Sequence, residues 1–341
     1  MILLLSTIKV FQHVNLIFQQ HDATRIRCLT IRTYKIIPLS PQTGVIEWVN
    51  NTIPFGSYLL DSKSSLGAHT RYFPNDWSNF MCREALKNAP DKLHQAFLEI
   101  YKNFHPAFRF FFLEKFSDPK IWMSSRLTFT RSVATTSIVG WILGIGDRHS
   151  QNILIDQSNA EVVHIDFGIV FEQGKSLGIP ETVPFRLTRD IVDGFGITSC
   201  EGTFRKSCEK VLEVLKEKMN QVLTILEVVI HDPLYKWSLS PVEVNKHQRK
   251  RDLVDDLPFF PLKLSKNDID VQSGSEKESI SSNFQKDAAN RMLMRIRNKL
   301  QGFDDQSFST LSVEGFVQLL ITEAQNTKNL SKLYSGWAPW L

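Results

Sequence analysis

The apolar residues of this chain fall into runs whose period switches between helical and extended. At 7–20, Ile8, Phe11, Val14, Ile17 and Phe18 recur every three or four positions, which predicts one helix laid on a sheet. Residues 29–39 are rich in β-branched and aromatic side chains and end at Pro38, so they read as a strand. Residues 45–49 read as a second, short strand after a turn at 41–44. The stretch 50–73 is turn-rich and is expected to be irregular. Helices are predicted at 77–87 and 92–104, broken at Pro90. The aromatic-dense 106–113 reads as core, and Asp118-Pro119 opens a further helix.

From 126 to 143 runs a long helix whose Ser132, Ala134, Thr135, Ser137 and Gly140 are small, permitting close packing that would fix whatever follows it. A long amphipathic helix, or two, covers 203–230, with Val211, Leu215, Val222, Leu223 and Leu226 facing inward. Between 238 and 282, Asp, Ser, Lys and Pro dominate and predict a linker or partly disordered segment. Helical spacing returns at 284–300. Ser312 caps a last helix running to about 325, and the chain closes on Ser335-Gly336-Trp337-Ala338-Pro339-Trp340-Leu341.

Composition adds limits. A chain of 341 residues, 42% hydrophobic and 22% charged, suffices for two domains or one bilobal unit with a sizeable core. The formal net charge of +4 is mild and does not point to nucleic acid. The run Gln248-Arg249-Lys250-Arg251 is too short to do so and reads as a solvated loop. Cys28, Cys82, Cys200 and Cys208 have no Cys-x-x-Cys spacing, which implies a reducing compartment and no metal framework. No apolar run is long enough for a membrane span.

The chemistry concentrates in 144–168, GIGDRHSQNILIDQSNAEVVHIDFG. Asp147 and Asn152 are five residues apart, and Asp166 precedes Phe167 and Gly168. Protein kinases use H-R-D-x-x-x-x-N followed by D-F-G. Here the Asp-to-Asn spacing is kept, but the histidine follows the aspartate as Asp147-Arg148-His149. Residues 153–155 and 162–165 read as a hairpin around a turn at 156–159, whose ends bring Asn152 and Asp166 together. Phosphoryl transfer needs a group that accepts the attacking hydroxyl's proton, a role that suits Asp147. It also needs hard oxygen ligands for Mg²⁺, which suits Asn152 and Asp166. His149 is either a surface loop residue or, beside Asp147, a donor to the transferring phosphoryl group. His164 reads as structural, and Arg148 is expected to pair with a carboxylate.

Asp-Arg-His-x-x-Asn followed by Asp-Phe-Gly resembles the phosphatidylinositol 3-kinase-related kinases and not the ordinary protein kinases. HIDFGIVFEQGKSLGIPETVPFRLTRDIVDGFGIT and the terminal GWAPWL resemble the same family, over about 10 to 341 and thinly between 242 and 284. The resemblance implies an α+β fold of the protein-kinase-like (PI3K/PI4K) type. Residues 1–50 would be an N-lobe remnant with a truncated sheet, and 51–240 a largely helical C-lobe. The catalytic loop would lie at 144–152 and the activation segment at 164–188. Residues 241–308 would be a regulatory linker and helix, and 309–341 a helical FATC tail. The terminal tryptophans would wedge against the C-lobe and brace the activation segment.

The resemblance also implies site roles. Trp48 would pack on adenine, with backbone groups around Glu47 and Val49 reading its edge; on residue type alone Trp48 is a core aromatic. Leu154 and Ile165 would form the apolar floor, and His149 would act on the phosphoryl group. ATP with Mg²⁺, or Mn²⁺ in its place, is the implied cofactor. The implied activity is a Ser/Thr protein kinase, acting before Gln, in the nuclear DNA-damage response. Partners would be protein substrates and DNA-damage sensor proteins, with room for a homodimer in the full-length protein. A phosphoinositide headgroup needs clustered cations. The first half of 168–188 holds only Lys175, with Arg186 and Arg189 coming late, so a phosphoinositide lipid kinase is the second alternative, behind a catalytically incomplete scaffold. The family's glycine-rich phosphate loop and phosphate-binding lysine do not occur in the sequence. The chain is therefore expected to be a piece of a much larger protein, and a non-catalytic scaffold is the reading from another class.

Overall fold

The structure is a computed structural model that describes residues 2–40, 43–62, 65–230, 277–304 and 309–341, with side chains at 277–288 left aside. Its α1, Ile2–Gln20, takes in the apolar leader residues and so starts earlier than the predicted 7. Its buried face, Ile8, Phe11, Val14, Ile17 and Phe18, has the spacing read from the sequence. A one-turn helix follows, α2 (Asp22–Arg25).

The strand expected over 29–39 contracts to β1, Ile36–Pro38, paired antiparallel with β2, Gly44–Ile46. The reason is local. Asn15 on α1 takes both backbone groups of Ile31, donating from Nδ2 to its carbonyl at 2.7 Å and accepting its N–H at 2.9 Å. The first half of the stretch is thereby tied to a helix and not to a sheet.

The expectation that 50–73 is irregular is wrong. It holds β3 (Thr52–Pro54), α3 (Phe55–Leu59) and α4 (Ala68–Tyr72). These elements are too short for periodicity to show them. Next come α5 (Asn79–Lys87), α6 (Leu93–Asn103) and α7 (Arg109–Lys115). Phe108, Phe111 and Phe112 are fully buried; Phe111 stacks on Phe108, and Phe108 and Phe112 meet the Phe129 ring of the next helix, so the aromatic stretch is core, as its composition implied.

That next helix, α8 (Pro119–Leu143), is continuous; the two helical segments expected here are one. Asp118 caps it by accepting from the Lys120 and Ile121 amides, with Pro119 at the first position. Gly144 ends it at φ +61°, a left-handed residue whose added Cβ would lie 2.4 Å from the Glu172 backbone nitrogen. The small residues inside α8 do more than permit approach. Ser132 Oγ accepts the Val162 N–H at 3.0 Å, bolting the helix to the hairpin beside it.

That hairpin is β4 (Ile153–Asp156) and β5 (Val162–His164), with β3 added on the far side of β4 to give the order β3-β4-β5. Leu154 pairs with Val163 and Ile153 with His164. After the activation segment come α9 (Arg189–Phe195), α10 (Thr203–Glu217) and α11 (Met219–Ile230). Residues 203–230 thus form two helices, broken at Lys218, and all five residues assigned inward are buried.

Most of the 238–282 linker and the Gln248–Arg251 run lie outside the described residues. The chain returns in α12, Lys277–Gln301, followed by the small pair β6 (Phe303–Asp304) and β7 (Ser309–Thr310). The last helices are α13 (Val313–Gln325), capped by Ser312 as expected, and α14 (Thr327–Leu330). The helix α10 lies between α8 and α13 and joins the tail to the core. No helix among the described residues is long and apolar enough to cross a membrane.

Candidate active site

Three pieces of backbone meet at the end of α8: the loop 144–152, the turn 165–168 after β5, and the activation segment. What joins the first two is Arg148. The sequence reading expected this arginine to pair with a carboxylate; instead it bonds main-chain oxygens. Its Nε donates to the Gly146 carbonyl at 2.9 Å and its Nη1 to the Ile165 carbonyl at 2.7 Å, and Nη2 donates to the Asp166 carbonyl. The guanidinium also lies over the Phe167 ring at 5.3 Å. Burial lowers its pKa, opposed by the charges of Asp147, Asp166 and Glu181. A planar fork with five donors suits this task, and an ammonium would not span it.

Asp147 and Asp166 both have left-handed backbones, φ +61° and +53°. Non-glycine residues hold that conformation only where surroundings impose it, and such strain concentrates at functional sites. Asp147 is 8% exposed. Its N–H donates to Glu181 Oε1 at 2.7 Å. Its carbonyl accepts from Asn152 Nδ2 at 3.0 Å, and its Oδ2 lies 3.5 Å from the same nitrogen. The Ile165 N–H donates to the Asn152 carbonyl at 3.1 Å, which sets the two loops side by side. Asp166 is exposed, with Oδ1 accepting from the Gly168 N–H at 3.2 Å.

These positions fit a divalent metal. Committing the Asn152 Nδ2 to the Asp147 carbonyl turns the amide oxygen Oδ1 to the opposite side. An amide oxygen and an open carboxylate are hard oxygen donors, the type that a metal keeping several waters and phosphate oxygens uses.

His149 lies beside Asp147 on the wall of a cavity of about 160 Å³. The same wall includes Leu177 and Ile179 of the activation segment and Tyr334 and Trp337 of the tail. The imidazole Nδ1 accepts from the Gln151 N–H at 3.2 Å. His164 has a different setting. Burial first and the Arg148 charge second lower its pKa to about 3, so it is a neutral imidazole at ordinary pH, in keeping with a structural role.

Leu154, which pairs with Pro54 of β3, and Ile165 are half-buried against the core. Trp48 is 73% exposed, so it is not the core aromatic its type suggested. The Glu47 N–H donates to the Lys35 carbonyl at 2.9 Å, and the Glu47 carboxylate accepts the Lys35 N–H at 2.7 Å. The Val49 carbonyl accepts from Thr52 Oγ1 at 2.9 Å.

Several residues have roles at this site that the sequence did not show. Tyr34 is buried where the charges of both Arg148 and Asp166 reach it, and burial above all raises its pKa. Phe11 of α1 meets the Phe167 ring edge-on at 5.3 Å. Arg186 donates to the Trp337 and Ala338 carbonyls at 2.6 and 2.8 Å and to the Arg148 carbonyl at 3.3 Å, with its guanidinium 4.2 Å from the Trp337 ring. Only contacts distant in sequence define these roles.

The model of the phosphatidylinositol 3- and 4-kinases matches residues 6–239, and that of the FATC domain matches 310–341. The chain belongs to the phosphatidylinositol 3- and 4-kinase family. It is 47% identical over 337 residues to the serine-protein kinase ATM of Sus scrofa, covering 98% of this chain and 11% of that protein. It is 46% identical to the serine/threonine-protein kinase ATM of Arabidopsis thaliana, covering 97% of this chain and 8% of that protein. The serine/threonine-protein kinase tel1 of Schizosaccharomyces pombe is 42% identical across 97% of this chain. A structure titled "FAT and kinase domain of CtTel1" superposes with a TM-score of 0.81 at 38% identity, covering 99% of this chain and 21% of that one. Another, titled "Tel1 kinase butterfly symmetric dimer", gives 0.77 and covers 12% of that chain. The chain therefore spans about a tenth of the length of these curated relatives. Membership of the phosphatidylinositol 3- and 4-kinase family implies use of ATP and a divalent metal.

Proposed function

We propose that this chain carries the phosphotransfer half of a Ser/Thr protein kinase. The observation that bears most weight is the Arg148 fork, which binds the loop of Asp147 to the turn of Asp166. Asp147 accepts the proton of the attacking hydroxyl, and its backbone is held on both sides by Glu181 and Asn152. Asn152 Oδ1 and the Asp166 carboxylate hold Mg²⁺, or Mn²⁺ in its place. When bound, the metal neutralises the phosphate oxygens and aligns the nucleotide for transfer. His149, on the cavity wall next to Asp147, donates to the transferring phosphoryl group. Leu154 and Ile165 form the apolar floor beneath adenine. With the Glu47 N–H and Val49 carbonyl already engaged, the Glu47 carbonyl and Val49 N–H are the hinge groups that read its edge. Exposed Trp48 covers the ring.

A protein hydroxyl is the better substrate than a phosphoinositide. Lys175 is paired with Glu172 at 3.1 Å, while Arg186 and Arg189 are spent on backbone carbonyls, so the segment presents no cation cluster for a headgroup. The reading extends to serine or threonine followed by glutamine, in nuclear DNA-damage signalling. It places the chain inside a longer, dimerising protein with DNA-damage sensor partners, divided at 1–50, 51–240, 241–308 and 309–341 as the sequence suggested. Saturable Mg²⁺-dependent ATP binding, lost in Asp166→Ala, tests it. A non-catalytic scaffold predicts no such binding.

A further inference from the structure

We infer that Glu181 is a positioning residue for phosphotransfer: its carboxylate, wedged between two glycines, holds the catalytic aspartate's amide and ties the catalytic loop to the activation segment. The inference rests on the kinase reading and adds to it a residue far along the chain from the loop it controls.

Three observations carry it. Glu181 Oε1 accepts the Asp147 N–H at 2.7 Å, and Asp147 sits at φ +61°, a conformation that needs an external hold. Glu181 Oε2 lies against two backbones at once. A Cβ on Gly146 would come within 2.6 Å of it, and one on Gly174 within 2.5 Å, so both glycines make room for this one carboxylate. The Glu181 N–H in turn donates to the Gly174 carbonyl at 3.0 Å, closing 174–181 into a small loop.

The consequence is mechanical. That closed loop carries Leu177 and Ile179, which line the cavity beside Asp147 and His149. A peptide seated in the cavity presses on the same loop whose base holds the Asp147 amide. Its fit is thereby transmitted to the residue that takes the hydroxyl proton. A charge-assisted acceptor on a backbone N–H is among the stronger hydrogen bonds, so the coupling is stiff.

The test uses the full-length polypeptide that carries this sequence, with Mg-ATP and a serine peptide. Glu181→Ala is expected to lower kcat by about 100-fold while the ATP KM stays within about twofold, the signature of a lost transition-state alignment. Glu181→Gln keeps an oxygen for the Asp147 N–H and is expected to recover most of the rate. Amide hydrogen exchange at 146–148 should quicken in Glu181→Ala and not in Glu181→Gln. Exchange needs no catalysis, so it judges this inference even if the kinase reading fails. Asp147→Ala judges the kinase reading separately, by abolishing transfer. Gly174→Ala displaces the carboxylate without removing it. It should reproduce the Glu181→Ala defect, and the double variant should be no worse than either. Wild-type kcat with unchanged exchange in Glu181→Ala, or additive losses in the double variant, would overturn the inference.

Discussion

The lower and upper walls of the proposed nucleotide region are built on different principles. Below, Asp147, Arg148 and Asn152 are each under 10% exposed, tied to backbone groups of the loop and the turn and to the Glu181 carboxylate. Above, the two-stranded β1–β2 sheet and the segment after it show Ile37 and Val45 at 58% and 55% exposure and Trp48 at 73%. The lower wall is held by directed polar contacts that fix angle and distance. The upper wall offers apolar area without such fixing. On the proposed function, the chemistry would draw on the fixed wall and affinity for the base on the looser one.

Breaking the lower wall should have the largest effect on transfer. Arg148→Lys leaves the carbonyls of Gly146, Ile165 and Asp166 short of donors, so stability should fall by about 1–3 kcal/mol and transfer should be lost. Chemical denaturation and an initial-rate assay check both. The tail comes next. Trp340 is fully buried, with its indole N–H on Asn79 Oδ1 at 3.1 Å, and Trp337 is clamped by Arg186. Trp340→Ala should cost about 3–5 kcal/mol, read from the same denaturation curves. Deleting Ser335 to Leu341 should also depress activity, and unchanged folding and activity would count against a bracing role.

A smaller, pH-dependent effect belongs to the base of the activation segment. Burial alone would raise the Glu172 pKa, but Lys299 and Lys175 overrule it and hold it at about 2. Lys299 and Arg295, both on α12, lie 2.9 and 3.3 Å from this carboxylate. A carboxyl depressed on folding stabilises above its unfolded pKa of about 4.5, and loses that contribution as pH falls toward 2. Glu172→Gln should therefore narrow the stability difference between pH 7 and pH 3, measured by thermal melts at both.

The upper wall should give the least. Trp48→Ala should change stability by less than about 0.5 kcal/mol, while raising the ATP KM with kcat unchanged.

The same contrast explains what the sequence revealed. That the loops of Asn152 and Asp166 lie side by side was legible because linked local motifs at fixed spacing specify it, and the hairpin between them follows from a turn flanked by apolar residues. The periodic faces of α1, α10 and α11 were legible for the same reason. Glu181, Arg186 and Tyr34 were not, because each acts on a residue far along the chain, and nothing in a glutamate's neighbours announces which amide it will meet. Arg148 was misjudged because charge suggests a carboxylate, while a buried turn has more carbonyls to offer. The short β3, α3 and α4 escaped because three to five residues carry no period.

The most direct measurement is calorimetric titration of Mg-ATP into the full-length polypeptide, alongside a single-turnover transfer assay. Asp166→Ala and Asn152→Ala should lose the Mg²⁺-dependent part of binding, while Asp147→Ala should bind normally and transfer nothing. Wild-type transfer by Asp147→Ala, or Mg²⁺-dependent binding undiminished in Asp166→Ala, would contradict the account.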